Sequence, residues 1–352
     1  MVAVSWATIH PEEAGPTAQT VSVLGIDIAK LVFHLVGMDN TGHVVLRKRV
    51  ARSELRPLIA TLPPALMGMK ACGSAHDWAR CVREHGHEVR LIAPPFVKAY
   101  GKSPKHDARD AEAIGEAVTW PTMRFVPSKQ VEPQDLQVLH RVRERLIKAR
   151  TALVNEIRGL LNEYGMVLPQ GIPKFRTLIV SKLQNEQAKL TALSTEVFCQ
   201  LYDEFLSLEK RIAYSDEKLA AMGQAHPECQ RLQTIPGIGP ISATAILAAI
   251  SDATQFKNGR QFAAWLGLVP REHSTDGKPR LLGISKRGDR YLRTLFVHGA
   301  RATLRWVDSK QDDRSRWLKA LIARRGKNRA AVALANKNAR IAWALLAQAL
   351  ST

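Results

Sequence analysis

The first hundred residues alternate between short apolar runs and mixed, helix-periodic segments. Runs at 21–28, 31–38 and 43–50 are rich in Val, Leu and Ile, and Asp39-Asn40-Thr41-Gly42 between the last two has turn chemistry. They predict three hairpin-linked strands. A helix near 52–61, a strand near 66–72, a helix near 75–85, a strand at 88–93 and a helix from about 107 follow. Val126-Pro127-Ser128-Lys129-Gln130 then breaks the pattern. Beyond it Leu139, Val142, Leu146, Leu153, Ile157 and Leu160 recur at helical steps, with His140, Arg141, Arg143, Arg145, Lys148, Arg150 and Arg158 assigned to the other faces. After Leu168-Pro169-Gln170-Gly171-Ile172-Pro173 comes a second seam, Val197, Leu201, Phe205, Leu208, Ile212 and Leu219. Two such helices predict an antiparallel coiled-coil hairpin, either an internal spacer or a means of pairing protomers.

Within the first strand stands Asp27, in Val21-Ser22-Val23-Leu24-Gly25-Ile26-Asp27-Ile28. A carboxylate in an apolar, β-branched run is costly to bury unless it is paired or faces a cation. Asp107 and Asp110 are three apart at a helix start and share a face, where hard oxygen ligands for Mg²⁺ would sit. Three hairpin strands followed by alternating helix and strand describe a mixed α/β sheet of the ribonuclease H (RuvC-like) type, in which an acid on the first strand meets later acids. A turn-capping Asp27 and two acids favoured by the helix dipole are the plainer alternative.

Charge narrows the partner. Lys and Arg number 51 against 32 Asp and Glu, a net of +19, and residues 271–352 alone hold 19 basic and 6 acidic side chains, a net of +13. Such a field suits a polyanion, by default nucleic acid. No run approaches the roughly 20 apolar residues of a membrane span, and no signal-peptide pattern opens the chain. Cys72, Cys81, Cys199 and Cys229 have neither zinc-site spacing nor disulfide density, and read as reduced, mostly buried thiols of a cytoplasm.

Past Pro227, the Ile235-Pro236-Gly237-Ile238-Gly239-Pro240 segment between a short helix and an apolar helix through Ile250 has a helix-hairpin-helix signature. Gly237 and Gly239 would let backbone N–H groups approach a phosphate, or serve only helix packing. Next, Arg271-Glu272-His273-Ser274-Thr275-Asp276-Gly277-Lys278-Pro279-Arg280 is a polar, basic loop. Ser274, flanked by Arg271, Lys278 and Arg280, sits among charges that would hold a phosphodiester and favour an alkoxide. Ser285, beside Lys286, Arg287 and Arg290, is a rival, and spacing alone separates neither serine from a solvated loop hydroxyl. Arg324, Arg325, Lys327 and Arg329 add a basic cluster suited to phosphate contacts.

Gly25-Ile26-Asp27-Ile28-Ala29-Lys30, Met69-Lys70-Ala71-Cys72-Gly73-Ser74, Asp107-Ala108-Arg109-Asp110-Ala111, the Ile-Pro-Gly-Ile-Gly hairpin, Gly267-Leu268-Val269-Pro270-Arg271 and Ile284-Ser285-Lys286-Arg287-Gly288 occur in one order. In that order they resemble DEDD-type insertion-sequence transposases, the insertion sequence 110 family and in detail its insertion sequence 1111 subgroup, from about residue 21 to the last helix. The resemblance implies a nuclease-like domain at 21–127 after a flexible 1–20, a coiled coil at 132–225, and a mostly helical transposase domain at 226–352 with the catalytic serine. It implies Asp27, Asp107 and Asp110 as catalytic Mg²⁺ ligands and Ser274 as nucleophile. The expected partners are double-stranded DNA at element ends and target, a structured bridge RNA and further copies of the chain in a dimer or tetramer, in the bacterial cytoplasm at the nucleoid.

One position departs from that pattern. The resemblance places a fourth acid in a Met-Glu-Ala motif, and here the residue is Lys70. An ammonium there would occupy the volume of a divalent cation and pair with Asp27 or Asp107. The expected activity is recombination through a phosphoserine intermediate. The alternatives are a ribonuclease H-type junction nuclease using metal-activated water and a catalytically inactive nucleic-acid-binding copy.

Overall fold

The central strands Val23–Asp27 and Leu66–Lys70 are buried in consecutive residues because helices cover both faces of the sheet. The computed structural model describes residues 21–97, 107–250, 252–274, 278 and 280–348, so segment 1–20 lies outside the described residues. The chain divides into two compact units, 1–130 and 131–352.

The first unit holds β1 (Val23–Asp27), β2 (Val32–Met38), β3 (Val44–Ala51), α1 (Arg52–Thr61), β4 (Leu66–Lys70), α2 (Ala75–Glu84), β5 (Glu88–Ile92), the short α3 (Pro94–Val97), α4 (Asp107–Thr119) and β6 (Phe125–Val126). The strands form one mixed sheet in the order β3-β2-β1-β4-β5-β6. β1 runs antiparallel to β2 and parallel to β4, and β4 runs parallel to β5. The two-residue edge strand β6, antiparallel to β5, is too short to show a sequence period. Leu24 and Ile26 of β1, Met67 and Met69 of β4 and Leu91 of β5 pack with Leu55 and Ile59 of α1 and with Trp78 and Val82 of α2. The alternate residues face α4.

That second face is built on glycine. Gly25 and Gly68 are lateral neighbours in the β1–β4 register. A Cβ on Gly25 would fall 2.1 Å from the Ala111 carbonyl oxygen and 2.6 Å from the Gly115 nitrogen, and one on Gly68 would fall 3.0 Å from Ile114 and Val118. The helix α4 therefore lies directly on the sheet backbone, closer than any side chain would allow.

The second unit begins with α5 (Val131–Glu163), α6 (Ile172–Asn185) and α7 (Ala192–Ala225). At 33 and 34 residues, α5 and α7 are each about 50 Å long. Ion pairs Arg143–Asp216 and Arg150–Glu209 set them antiparallel, and Phe175 of α6 meets Phe205 edge-on. The seam differs from the one expected. Leu136, Leu146, Leu153, Val154, Ile157 and Leu161 are buried, whereas Val142 and Leu160, and Val197 on α7, are exposed. The stripe is displaced because α5 also has to face the C-terminal helices, which bury His140 instead of leaving it on a solvated face.

Those helices are α8 (Pro227–Gln233), α9 (Pro240–Ala249), α10 (Gly259–Trp265), then the hairpin β7 (Pro270–Glu272) and β8 (Leu281–Ile284), and α11 (Arg290–Leu304), α12 (Asp313–Arg325) and α13 (Lys327–Gln348). Ile246, Phe262, Leu266, Leu292 and Phe296 share one core with α13. α13 contributes the small residues Ala331, Ala335, Ala339 and Ala342, all fully buried at helical spacing, which allows close helix contact. Among the described residues no helix is long and apolar enough to cross a membrane. Of the four free cysteines Cys81 and Cys229 are buried, but Cys72 and Cys199 are exposed, because one follows β4 in a turn and the other lies on the outer face of α7.

Candidate functional site

Asp27 ends β1, and Lys70 ends the neighbouring parallel β4. Two residues on from Gly25 and Gly68, both side chains share the face on which α4 lies. The close seat of α4 brings Asp110 to the same point. The Lys70 ammonium lies 2.7 Å from Asp27 Oδ1 and 2.9 Å from Asp110 Oδ2. Asp27 is only 7% exposed. Burial of the ammonium opposes its charge, but the hydrogen bonds to Asp110 and Asp27 outweigh it and hold the Lys70 pKa above the ordinary lysine value. Lys70 is therefore charged throughout the physiological range.

Asp107 is the first residue of α4, one turn ahead of Asp110, and its side chain lies outside the described residues. Glu112, on α4, pairs with Arg47 of β3 at 2.7 Å. Among the described residues no group of three His, Cys, Asp or Glu side chains is placed to hold a metal ion. A divalent cation requires anionic oxygens facing an open centre. Here an ammonium on a side chain fills that centre and takes the Asp27 and Asp110 oxygens. Two of the three acids expected to bind Mg²⁺, Asp27 and Asp110, meet at Lys70, and with its ammonium between them they do not fit the ion.

The serine region belongs to the second unit. β7 and β8 pair Pro270 with Ile284 and Glu272 with Leu281, with a bulge between, and His273 N–H donates to the Arg280 carbonyl at 3.0 Å. Ser274 follows β7, exposed, and its hydroxyl donates to Glu272 Oε1 at 2.5 Å. Sequence reasoning passed over Glu272. Its signal was present, since it is a carboxylate two residues before Ser274, at the end of β7. Arg271, Lys278 and Arg280 are all exposed on the same hairpin.

Ser285 is differently placed. Its N–H donates to the Val269 carbonyl at 2.8 Å, and its Oγ accepts from Arg287 N–H at 3.4 Å, inside a tight turn. Lys286 there has a left-handed φ of 54°. A Cβ on Gly267 would meet the Arg287 carbonyl oxygen at 2.1 Å, and one on Gly288 would meet the Trp265 carbonyl oxygen at 1.8 Å. Arg293 Nη1 donates to the Leu266 carbonyl at 3.0 Å and so ties the two turns together. Lys286, Arg287 and Arg290 are exposed around this rigid base of the hairpin.

The glycines of the 235–240 turn divide their roles. Gly237, at φ 92°, lies against α11, where an added Cβ would fall 2.5 Å from the Gly299 carbonyl oxygen. Its missing Cβ serves close packing against a helix, one of the two roles open to it. Gly239 caps α9, and an added Cβ would meet nothing within 4 Å. Arg324 and Arg325 end α12, and Lys327 and Arg329 open α13, all exposed.

His140 bridges three helices. Thr244 Oγ1 donates to the Pro240 carbonyl at 2.7 Å, so at 3.1 Å it accepts from His140 Nε2–H. His140 Nδ1 is then the acceptor for the Tyr291 hydroxyl at 3.0 Å. Burial, with a smaller contribution from Arg143, pushes this imidazole down to about 4.

Comparison with known sequences places this arrangement. The sequence profile described as "Transposase IS116/IS110/IS902 family" matches residues 229–316, and a DEDD transposase profile of insertion sequence 110 matches residues 24–166. A probable family 20 transposase of Pseudomonas aeruginosa is 54% identical over 328 residues, covering 93% of this chain and 97% of the relative. The chain belongs to the IS116/IS110/IS902 transposase family. The transposase for insertion sequence element IS1111A of Coxiella burnetii is 49% identical, with 93% and 90% of the two chains covered. That for IS1328 of Yersinia enterocolitica is 37% identical, with 93% and 97% covered. DEDD transposases typically use a divalent metal, and it is against this background that the Asp27–Lys70–Asp110 cluster stands out.

Proposed function

We propose that this transposase cuts and rejoins DNA at the ends of its insertion sequence through Ser274. The observation that carries the reading is the Ser274–Glu272 hydrogen bond on a hairpin bearing Arg271, Lys278 and Arg280. Glu272 accepts the hydroxyl proton as Ser274 Oγ attacks the phosphorus of a phosphodiester. The P–O bond to the departing strand breaks, and that strand's oxygen takes up a proton. The phosphate remains esterified to Ser274, and attack by the hydroxyl of another strand releases the serine and reseals the DNA without ATP. The hairpin cations hold the phosphate and offset the charge that develops on its oxygens.

Mg²⁺ has no step in this scheme, because Lys70 engages the oxygens of Asp27 and Asp110 that it would need. Double-stranded element ends and target, with sequence choice supplied by a bridge RNA, are the proposed partners, supported by the C-terminal net of +13. The α5–α7 pair, proposed as a coiled coil, leaves Val138, Val142 and Tyr214 exposed along a groove of about 560 Å³, which supports pairing of copies into a dimer or tetramer. The proposed place of action is the bacterial nucleoid. A DNA substrate nicked beside the scissile phosphate tests the mechanism. The reading expects a protein–DNA adduct that survives denaturing electrophoresis, and complete reaction through released strands with no adduct would refute it.

A further inference from the structure

Cations also concentrate in a groove that none of the sequence motifs includes. A groove of about 890 Å³ runs between the start of α10, the middle of α12 and the outer face of α13. Its floor and wall are in direct contact. A Cβ on Gly259 would fall 2.9 Å from the Arg340 carbonyl oxygen, so α10 begins against the backbone of α13. Asn258 fixes that start by accepting from Gln261 N–H at 3.0 Å, and Trp343 Nε1–H donates to the Ala253 carbonyl at 3.1 Å. The groove is thus a rigid part of the second unit's core.

The side chains lining it have one sign. Arg260, Lys337 and Arg340 are exposed there, and among the described residues no Asp or Glu lines it and none of the three is paired with a carboxylate. Lys337 and Arg340 are one turn apart on α13 and share a face. Trp317 of α12 opens into the same groove at 36% exposure, with the Lys337 ammonium 4.8 Å from its ring centroid. A large aromatic plane kept exposed beside three uncompensated cations suits a ligand that has both a flat π-face and a phosphate.

We propose that this groove binds single-stranded nucleic acid, with a base stacked at Trp317 and backbone phosphates held by Arg260, Lys337 and Arg340. Duplex DNA keeps its base faces stacked internally, and so cannot use Trp317. A single strand can. The proposal rests on the reading of the chain as a nucleic-acid recombinase and adds a strand-specific site whose lining does not include Ser274. Strand exchange creates unpaired segments, and such a site would hold one while another is joined.

The test uses the full chain with a fluorescent 12-nucleotide thymine strand and a duplex of equal length, titrated by anisotropy at several salt concentrations. Trp317→Ala is expected to weaken single-strand binding by about tenfold or more, with duplex binding within about twofold. Trp317→Phe, which keeps a ring, restores most of it and checks folding. Arg260→Ala with Arg340→Ala lowers the salt slope for the single strand by about 1.4, at roughly 0.7 per phosphate. Unchanged single-strand affinity in both Trp317→Ala and the double variant overturns the groove, as does equal loss on strand and duplex. If the unaltered chain binds neither probe, the nucleic-acid reading itself fails.

Discussion

Lys70 Nζ lies 2.7 Å from Asp27 Oδ1 and 2.9 Å from Asp110 Oδ2, in a family whose members typically use a divalent metal. The cluster is stabilised by that ammonium, and replacing Lys70 by Met would leave Asp27, almost fully buried, without its cation. Breaking a buried pair from one side costs about 3–5 kcal/mol, and the partial exposure of Lys70 and Asp110 brings the expectation to about 2–3 kcal/mol. Urea unfolding of Lys70→Met measures it, and a loss under about 0.5 kcal/mol would mean the ion pairs contribute little.

Exchanging the cation for an anion should reverse the metal preference. Lys70→Glu gathers carboxylates that repel one another, so that one stays protonated until Mg²⁺ displaces the proton. Calorimetry in buffers of different ionisation enthalpy should show Mg²⁺ binding with proton release in Lys70→Glu, and little of either in the unaltered chain. Equal, strong binding by both proteins would falsify the view that Lys70 blocks the site.

The serine assignment separates three variants. Ser274→Ala should abolish the covalent adduct while DNA affinity stays nearly intact, and Glu272→Gln should slow its formation by roughly 10²–10⁴-fold, as loss of a general base does. Ser285→Ala should be milder, since its hydroxyl is engaged in the turn. Adduct loss in Ser285→Ala with retention in Ser274→Ala would transfer the nucleophile to the other serine.

Gly25 is required by the seat of α4. A methyl group 2.1 Å from the Ala111 carbonyl must push the helix off the sheet, so Gly25→Ala should destabilise the protein by about 2 kcal/mol or more. Gly73→Ala, where nothing lies within 4 Å, serves as control. Similar urea midpoints for the two variants would refute the close-seat account.

The buried His140 gives stability a pH dependence of known sign. Its folded pKa, about 4, lies below the ordinary 6.5, so the unfolded chain binds the extra proton and stability is lost as pH falls through that window. The group contributes fully above about pH 6.5 and should cost about 2 kcal/mol at pH 5. His140→Gln should flatten the difference in unfolding free energy between pH 7 and pH 5. An unchanged difference would assign the effect to other groups.

Removal of the basic corner should be visible in salt titrations. Alanine at Arg324, Arg325, Lys327 and Arg329 together should lower the slope of log affinity against log salt for duplex DNA, each lost phosphate contact releasing about 0.9 fewer counterions. A slope equal to that of the unaltered chain would place the duplex contacts elsewhere.

Local sequence determined a large part of this protein. Short apolar runs marked β1 to β5 and helical periodicity the long helices, because a strand covered on both faces and a helix buried on one each leave a trace within a few residues. The costly placement of Asp27 and the basic C-terminus were legible for the same reason, as composition and local context suffice to read them. Other features depended on partners distant in the chain. The true face of α5 and the burial of His140 required α9 and α11, more than 100 residues on. The packing of Gly237 depended on Gly299, and the seating of α4 on a pair of glycines on two strands. Lys70 was readable as a misfit, but only the register of β1 with β4 and the close approach of α4 set its ammonium between Asp27 and Asp110. The tertiary structure decided these points because close backbone approach and shared cations are relations between elements, and no single segment encodes them.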